Sequence, residues 1–205
     1  YTVAAGHTSA DLDYVATSSL ALNSGTIKDA ALNAATLTLP AIGASGSLAV
    51  NKALIIDTTV PTVAITSTTS GVSDGSTTSD ATIALTFTTS ESTSNFIVGD
   101  ITPGNGALKE FTAVSGTVYT ATFTPTGEGA CTIDVAADKF TDAATNDNSA
   151  SDQFNWTFDS VVPTVTNVTS TKADGTYKAE EVIGITITFS EVVNVTGTPQ
   201  ITLET

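Results

Sequence analysis

The most constraining feature of this sequence is a seven-residue segment that occurs twice. Asp57–Val63 reads Asp-Thr-Thr-Val-Pro-Thr-Val, and 102 residues later Asp159–Val165 reads Asp-Ser-Val-Val-Pro-Thr-Val. Downstream of each, Phe87–Glu91 is echoed by Phe189–Glu191, and both segments end in Ser-Glu. A period near one hundred residues is the length of a small domain, so we predict an array of domains. We call 57–63 the first joint and 159–165 the second joint.

Composition excludes several classes of function. The chain has 205 residues, of which 40% are hydrophobic, and carries a formal charge of −15 with six lysines as its only strong bases. That much apolar material predicts a globular fold and not an acidic disordered tail. The negative charge disfavours nucleic-acid partners and anionic membrane surfaces. No apolar run approaches the ~20 residues of a membrane-spanning helix, and a single cysteine excludes an intrachain disulfide.

Residues 59–160 have the alternation of half-buried strands. Apolar and polar side chains alternate along several short, threonine-rich stretches, and no helical period is present. The predicted strands cover residues 62–66, 83–88, 96–98, 108–114, 118–126, 131–135 and 154–158. Seven short β-branched strands in about a hundred residues predict an all-β, Ig-like antiparallel sandwich.

Several motifs give the chain a family resemblance. Ser90-Glu91, the threonine-rich strand Val118–Thr126, the segments Gly129–Ala137 and Phe140–Asn146, and the two joints are similar to those of bacterial Ig-like repeats in large secreted surface proteins and adhesins. The resemblance implies an extracellular location at the bacterial cell surface. It also implies a stalk or filament module, often stiffened by calcium, that has no catalysis of its own and contacts neighbouring copies or modules.

The flanking segments are interpreted as two halves of such a module. Residues 1–58, with short strands expected near 1–4, 12–17, 20–22, 36–39 and 53–57, resemble the C-terminal half of a repeat. Within them Asp29–Asn33 reads Asp-Ala-Ala-Leu-Asn and matches Asp142–Asn146, which reads Asp-Ala-Ala-Thr-Asn. Residues 161–205 resemble the N-terminal half of a further module. We expect 161–205 to be completed by a segment like 1–58, supplied by a continuing chain or by the next copy, head to tail.

Oxygen ligands are expected to converge at the joints. Because successive antiparallel strands alternate in direction, the turns after the second and sixth strands lie at the pole where the first strand begins. That pole is predicted to collect Asp57, Glu91, Asp142, Asn146 and Asp147. The opposite pole is predicted to collect Asp74, Asp80, Glu128 and Asp159, with Glu191 from the next module. Calcium, which takes 6–8 oxygen ligands, would relieve the repulsion, and we name Asp57, Glu91, Asp142, Asp159 and Glu191 as its ligands.

Two alternatives stay open from the sequence. The acidic residues could form a solvated surface, with the Asp-Ala-Ala-x-Asn loops as turns that satisfy their own backbone. The sandwich loops could also bind a glycan or protein ligand, as in an adhesin, although their Ser, Thr, Gly, Asp and Asn content favours a structural module. Catalysis is not expected: His7 is the only histidine and lies in a predicted loop, and Cys131 and Trp156 are predicted to be core residues.

Overall fold

The computed structural model describes residues 1–204. The described chain divides into two compact units, Tyr1–Phe158 and the residues from Asp159 onward. The first unit contains a β-sandwich preceded by an irregular segment, and the second contains one pair of strands. Among the described residues, helix is limited to α1 (Leu48–Asn51) and a 3-10 turn, Val98–Asp100. No described helix is long and apolar enough to cross a membrane.

Two four-stranded sheets form the sandwich. Its strands are β1 (Val63–Ser67), β2 (Ser76–Thr78), β3 (Ile83–Thr89), β4 (Ile101–Gly104), β5 (Gly106–Ala113), β6 (Val118–Pro125), β7 (Gly129–Val135) and β8 (Phe154–Phe158). The strand order is β1-β3-β6-β5 in one sheet and β2-β8-β7-β4 in the other. All neighbours are antiparallel except β2 and β8, which run parallel. The predicted all-β sandwich is therefore confirmed.

The core of the sandwich follows from the alternation along its strands. On β3, Ile83, Leu85 and Phe87 are buried whereas Ala84 and Thr88 are exposed. The same alternation on β6, β7 and β8 gives further core side chains, which include Tyr119, Phe123, Cys131, Ile133, Val135, Phe154 and Trp156. Cys131 and Trp156 are thus core residues, as predicted. Phe123 packs edge to face against Trp156 with ring centroids 4.7 Å apart. Aromatic pairs prefer this geometry.

One predicted strand is wrong and two strands were missed. Residues 96–98 do not form a strand. The Phe96 side chain instead packs against Tyr119 and Phe140, with ring centroids 5.0 Å away in each case. β2 has only three polar residues, so no alternation marks it. β4 reads Ile-Thr-Pro-Gly, and its proline and glycine hide the strand pattern in the sequence.

Residues 1–58, all of them described, do not form the short strands predicted for them. Only isolated bridges occur, between Ser9 and Ile56 and between Lys28 and Ala34. Many of their apolar side chains, including Val15, Leu20, Leu22, Ile27 and Ile55, are exposed. A strand needs a run of backbone partners and a second layer for its apolar face. Here the backbone partners are scattered, as in the bonds from the Leu12 N–H to Leu54 O and from the Leu39 N–H to Thr17 O, both 2.8 Å.

The second unit holds β9 (Val165–Ser170) and β10 (Ile185–Phe189), which pair antiparallel with an irregularity between Thr188 and Phe189. Phe189 pairs with Val165 as Thr89 pairs with Val63. Phe189 therefore takes the place of Thr89, and the residue in the position of Phe87 is Ile187. A two-stranded ribbon cannot bury an apolar face by itself, and Val165, Val168, Ile187 and Phe189 are exposed.

Candidate metal centre at the first joint

Asp57 is held at the start of the first joint by a local turn. Its Oδ1 accepts a hydrogen bond from the Thr59 backbone N–H at 2.9 Å. Aspartate often caps its own backbone two residues later in this way. Hydrogen bonds from the backbone and the side chain of Thr59 lower the pKa of the Asp57 carboxyl, so the group is ionised at neutral pH. Pro61 follows with its fixed φ and leads the chain into β1.

Glu91 is placed by the end of β3. Just before it, Ser90 and Thr62 bind each other twice: the Ser90 N–H donates to Thr62 O, and the Thr62 N–H donates to Ser90 Oγ, both at 2.9 Å. We call this pair the serine clamp. The Thr89 hydroxyl also donates to the carbonyl oxygen of Glu91 at 2.7 Å. The clamp therefore fixes Glu91 beside the first joint.

Asp142 belongs to the loop that precedes β8. The Asn146 N–H and Nδ2 donate to the Asp142 carboxylate at 2.9 and 2.8 Å, and Nδ2 also reaches Asp57 O at 3.2 Å. The loop closes with Thr145 at a φ of 69°, in the left-handed region that glycine usually occupies. In residues 29–33, Leu32 also has a φ of 69°. Asp142 is thus fixed by its own loop, and that loop is tied to the joint.

The three carboxylates converge. One carboxylate oxygen of each of Asp57, Glu91 and Asp142 lies within 4.8 Å of the others, and this is the only such group of three found among residues 1–204. Asp142 is buried, and Oε1 of Glu91 is buried without a hydrogen-bond partner. No lysine in the described part of the chain forms an ion pair with them. Burial, followed by the charges of Asp57 and Asp142, raises the pKa of Glu91.

This donor set fits a hard divalent cation. Calcium binds oxygen ligands at about 2.3–2.6 Å, so two ligands on opposite sides of one ion are about 5 Å apart. Oxygens that all lie within 4.8 Å of one another can therefore share one coordination shell. The unpartnered Oε1 of Glu91 is the atom whose desolvation is otherwise uncompensated.

The other predicted ligands do not belong to this group of three carboxylates. Asp147 is exposed next to the loop, and Asp74 accepts a hydrogen bond from the Asn155 N–H at 2.8 Å. In the second unit, Asp159 Oδ1 accepts from the Val161 N–H at 3.1 Å, and Oε1 of Glu191 is buried without a partner. Asp159 and Glu191 thus repeat the local settings of Asp57 and Glu91.

Two positioning residues were missed by sequence reasoning. Asn95 holds the residue before Asp142, because its Oδ1 accepts from the Thr141 N–H at 3.1 Å and its Nδ2 donates to Thr141 Oγ1 at 3.2 Å. Asn148 is 1% exposed, and its side chain makes four hydrogen bonds to the backbone on both sides of the loop. Both are asparagines among many polar loop residues, so the sequence does not single them out.

A family model described as a bacterial Ig-like domain matches residues 57–158. Residues 57–158 form a bacterial Ig-like domain. The match begins at Asp57, so all three carboxylates lie within this Ig-like domain. Neither a curated protein nor a solved structure gives a significant match.

The Ig-like domain identifies a structural or adhesion-type module in general terms. Such domains are common in extracellular and surface proteins and are typically not enzymes. The carboxylate group connects the first residue of the Ig-like domain, the turn after β3 and the loop before β8. These three segments are far apart in sequence, so any ligand that they share would link them.

Proposed function

We propose that this chain is a non-enzymatic structural repeat of an extracellular bacterial surface protein, and that calcium bound at the first joint stiffens it as part of a stalk or filament. The observation that carries the proposal is the convergence of Asp57, Glu91 and Asp142 around a buried, unpartnered carboxylate oxygen. Three carboxylates with no lysine counter-charge repel one another, and a divalent cation removes that repulsion.

Stiffening follows from where the ligands lie in the chain. Asp57 precedes β1 and belongs to the joint, whereas Glu91 and Asp142 belong to loops of the sandwich. An ion held by all three would tie the joint to the body of the domain. Pro61 lies in the same joint and has a fixed φ, which restricts the backbone there. Together the ion and the proline would fix the angle at which the preceding chain joins the domain.

The environments of Cys131 and His7, the two side chains considered for catalysis, support a structural role. Cys131 is fully buried, and burial raises the pKa of its thiol, so it stays protonated at neutral pH. His7 lies in the irregular segment, where the Tyr1 ring stacks on it with centroids 5.9 Å apart. Neither residue belongs to the carboxylate group.

Thermal unfolding of the 205-residue chain with calcium and with a chelator tests this proposal. At free calcium 100-fold above its dissociation constant, mass action stabilises the folded domain by about 2.7 kcal/mol. For a domain of this size we expect the melting temperature to rise by roughly 10 °C or more. Asp142→Asn should abolish most of that rise, because the amide has no negative charge and offers one oxygen where both carboxylate oxygens now accept from Asn146.

Asp152→Asn is the matched control. Asp152 is exposed and lies outside the carboxylate group, so this substitution removes the same charge without touching the site. It should keep the full response to calcium. Equal melting temperatures in millimolar calcium and in chelator would refute calcium stiffening, as would an undiminished response in Asp142→Asn.

A further inference from the structure

One edge strand of the sandwich lacks the features that usually protect an edge. Natural sheets protect their edges with short strands, prolines, charged side chains and bulges, because an unprotected edge can pair with another chain. The four edge strands are β1, β2, β4 and β5. β2 has three residues, β4 contains Pro103, and β5 carries Lys109 and Glu110 at a break in its register. β1 (Val63–Ser67) has five uncharged residues in unbroken register with β3.

The backbone of β1 offers hydrogen-bonding groups along this edge. The Ser90 N–H donates to Thr62 O, so Thr62 faces β3. In an antiparallel pair, alternate residues direct their N–H and C=O groups to opposite sides. Val63 and Ile65 therefore direct theirs away from β3, and no second strand among residues 1–204 pairs with β1.

A groove of about 430 Å³ runs along this part of β1. Residues 62–65 line one side, residues 149–154 line the other, and Asp74 completes the lining. The Ser149 N–H donates to Pro61 O at 3.0 Å and ties the two walls together at one end. The volume lies in the usual range of ligand pockets.

Asp74 marks the other end of the groove. Its Oδ1 accepts a hydrogen bond from the Asn155 N–H at 2.8 Å, and the Gly75 N–H donates to Asn155 O at 2.7 Å. β2 follows directly and pairs with β8 from Trp156 onward. The groove therefore ends where β2 begins to cover β8.

The lining favours an occupant whose side chains alternate in character. Val63 and Phe154, each 6% exposed, contribute apolar surface. Asp74 and Asp152 are exposed and are the only charged residues of the lining. Successive side chains of a strand point to opposite sides, so a strand in the groove would direct apolar side chains inward and basic side chains toward the two aspartates.

Charge favours a basic peptide over a second copy of this chain. The chain carries a formal charge of −15, and a second copy would bring the same two aspartates to the contact. Like charges placed opposite each other oppose association, whereas complementary charges assist it. A lysine-rich or arginine-rich segment supplies the complementary charge.

We propose that the groove beside β1 binds an extended basic peptide segment of a partner protein, which joins the sheet as an additional strand. Its backbone bonds to the outward N–H and C=O groups of Val63 and Ile65, and its lysine or arginine side chains pair with Asp74 and Asp152. In this mode main-chain hydrogen bonds give affinity and alternate side chains give specificity. The proposal does not depend on calcium at the first joint.

A synthetic peptide with alternating lysine and valine, acetyl-Lys-Val-Lys-Val-Lys-Val-amide, tests the proposal. Nuclear magnetic resonance of the isotope-labelled chain should show saturable 1:1 binding with shifts of the Val63 and Ile65 amides and of residues 149–154. The amides of β5, the other edge of the same sheet, should not shift. The same peptide with glutamate in place of lysine should not bind. Absence of saturable binding at about 1 mM peptide, or shifts centred on β5, would overturn the proposal.

Backbone pairing can be tested on the peptide while the protein stays unaltered. Because N–H groups alternate along a strand, only the lysine or only the valine N–H groups would face β1. N-methylation of the lysines in one peptide and of the valines in another should therefore weaken binding by at least about ten-fold in one of the two, since several backbone bonds are lost. Binding of both methylated peptides as tight as that of the parent peptide would overturn strand addition.

The charge contribution is tested with Asp74→Asn, whose amide oxygen can still accept from the Asn155 N–H. This substitution should raise the dissociation constant of the peptide about five-fold, as expected for a partly exposed ion pair. Asp138→Asn is the matched control, because Asp138 is exposed, lies outside the groove and has a φ of 60° that asparagine tolerates. It should leave the dissociation constant unchanged.

Two further outcomes would contradict the proposal. An equal loss of affinity in Asp74→Asn and Asp138→Asn would show that the peptide is attracted only to the acidic surface in general. Shifts of the Val63 and Ile65 amides that grow with protein concentration in the absence of peptide would assign this edge to a second copy of the chain.

Discussion

The pair β1–β3 and the pair β9–β10 are built on similar sequences and end in different environments. Both pairs are antiparallel and both are closed by a serine clamp, Ser90 with Thr62 and Ser190 with Thr164. Val63 is 6% exposed, whereas Val165 at the same position is 55% exposed. Local sequence is therefore sufficient to form the ribbon and its clamp, but burial requires the opposing sheet.

The largest expected effect is a difference in lost stability between substitutions at matching positions of β3 and β10. Phe87→Ala should cost the Ig-like domain about 3–5 kcal/mol, because it removes a fully buried aromatic side chain. Ile187→Ala, at the matching position of β10, should lower the free energy of unfolding of the second unit by less than about 1 kcal/mol in dilute protein. Its side chain is partly exposed, so little burial is lost. Chemical denaturation at low protein concentration measures both. Similar losses would show that the second ribbon already has a core.

The two Asp-Ala-Ala-x-Asn loops should differ next most. Asn148→Ala removes four hydrogen bonds at a buried site and should cost about 2–4 kcal/mol. Its counterpart in the exposed loop is already Ala35, so Ala35→Asn should change stability by less than about 0.5 kcal/mol. Urea unfolding of both variants checks the contrast. An equal effect at both positions would mean that the exposed loop is as tightly held as the buried one.

The serine clamps should differ by a smaller amount. Ser90→Ala leaves the Thr62 N–H without its side-chain acceptor and should cost the Ig-like domain about 1 kcal/mol. It should also weaken calcium binding, since Glu91 is the next residue. Ser190→Ala removes the same bond at the second joint and should leave the melting of the Ig-like domain unchanged. A calcium titration of the two variants, followed by melting, would sharpen or break this distinction.

The smallest effect is electrostatic. Because the pKa of Glu91 is raised on folding, the folded domain holds its proton more tightly, and without calcium stability should fall as pH rises from about 4.5 through the raised pKa. Glu91→Gln should remove that fall and stabilise the chelated protein at neutral pH by under ~1 kcal/mol, given its partial exposure. Asp57 acts in the opposite sense, since its lowered pKa withdraws stability only as pH falls below about 3.8.

Melting temperature against pH in chelator, for both the unaltered chain and Glu91→Gln, measures this effect of the Glu91 pKa on stability. With calcium present the order should reverse, because the glutamine is a weaker ligand. A Glu91→Gln protein that is less stable than the unaltered chain in chelator at neutral pH would contradict the repulsion at the site.

The sandwich could be predicted from sequence where its strands alternate. β3, β6 and β8 have long, regular alternation of apolar and polar side chains, and they form the two sheets as expected. The strand expected at 96–98 does not form, since the aromatic cluster around Phe96 is a tertiary feature without a local signal. β2, which reads Ser-Thr-Thr, takes its strand conformation from its parallel neighbour β8.

The candidate site could be predicted in part. The alternating direction of the predicted strands placed Asp57, Glu91 and Asp142 at one pole, and these three residues do converge. The residues that hold the loop in place, Asn95 and Asn148, could not be predicted, because their contacts span 46 residues in one case and the two sides of a loop in the other. Strand alternation fixes which pole a loop occupies, whereas side-chain partners within that pole depend on the folded backbone.

The most direct test of calcium at the first joint is a crystal structure of the chain grown in calcium, with the anomalous signal used to locate the ion. We expect one ion bound by oxygens of Asp57, Glu91 and Asp142 at about 2.3–2.6 Å. No anomalous peak among these three carboxylates at millimolar calcium would contradict it.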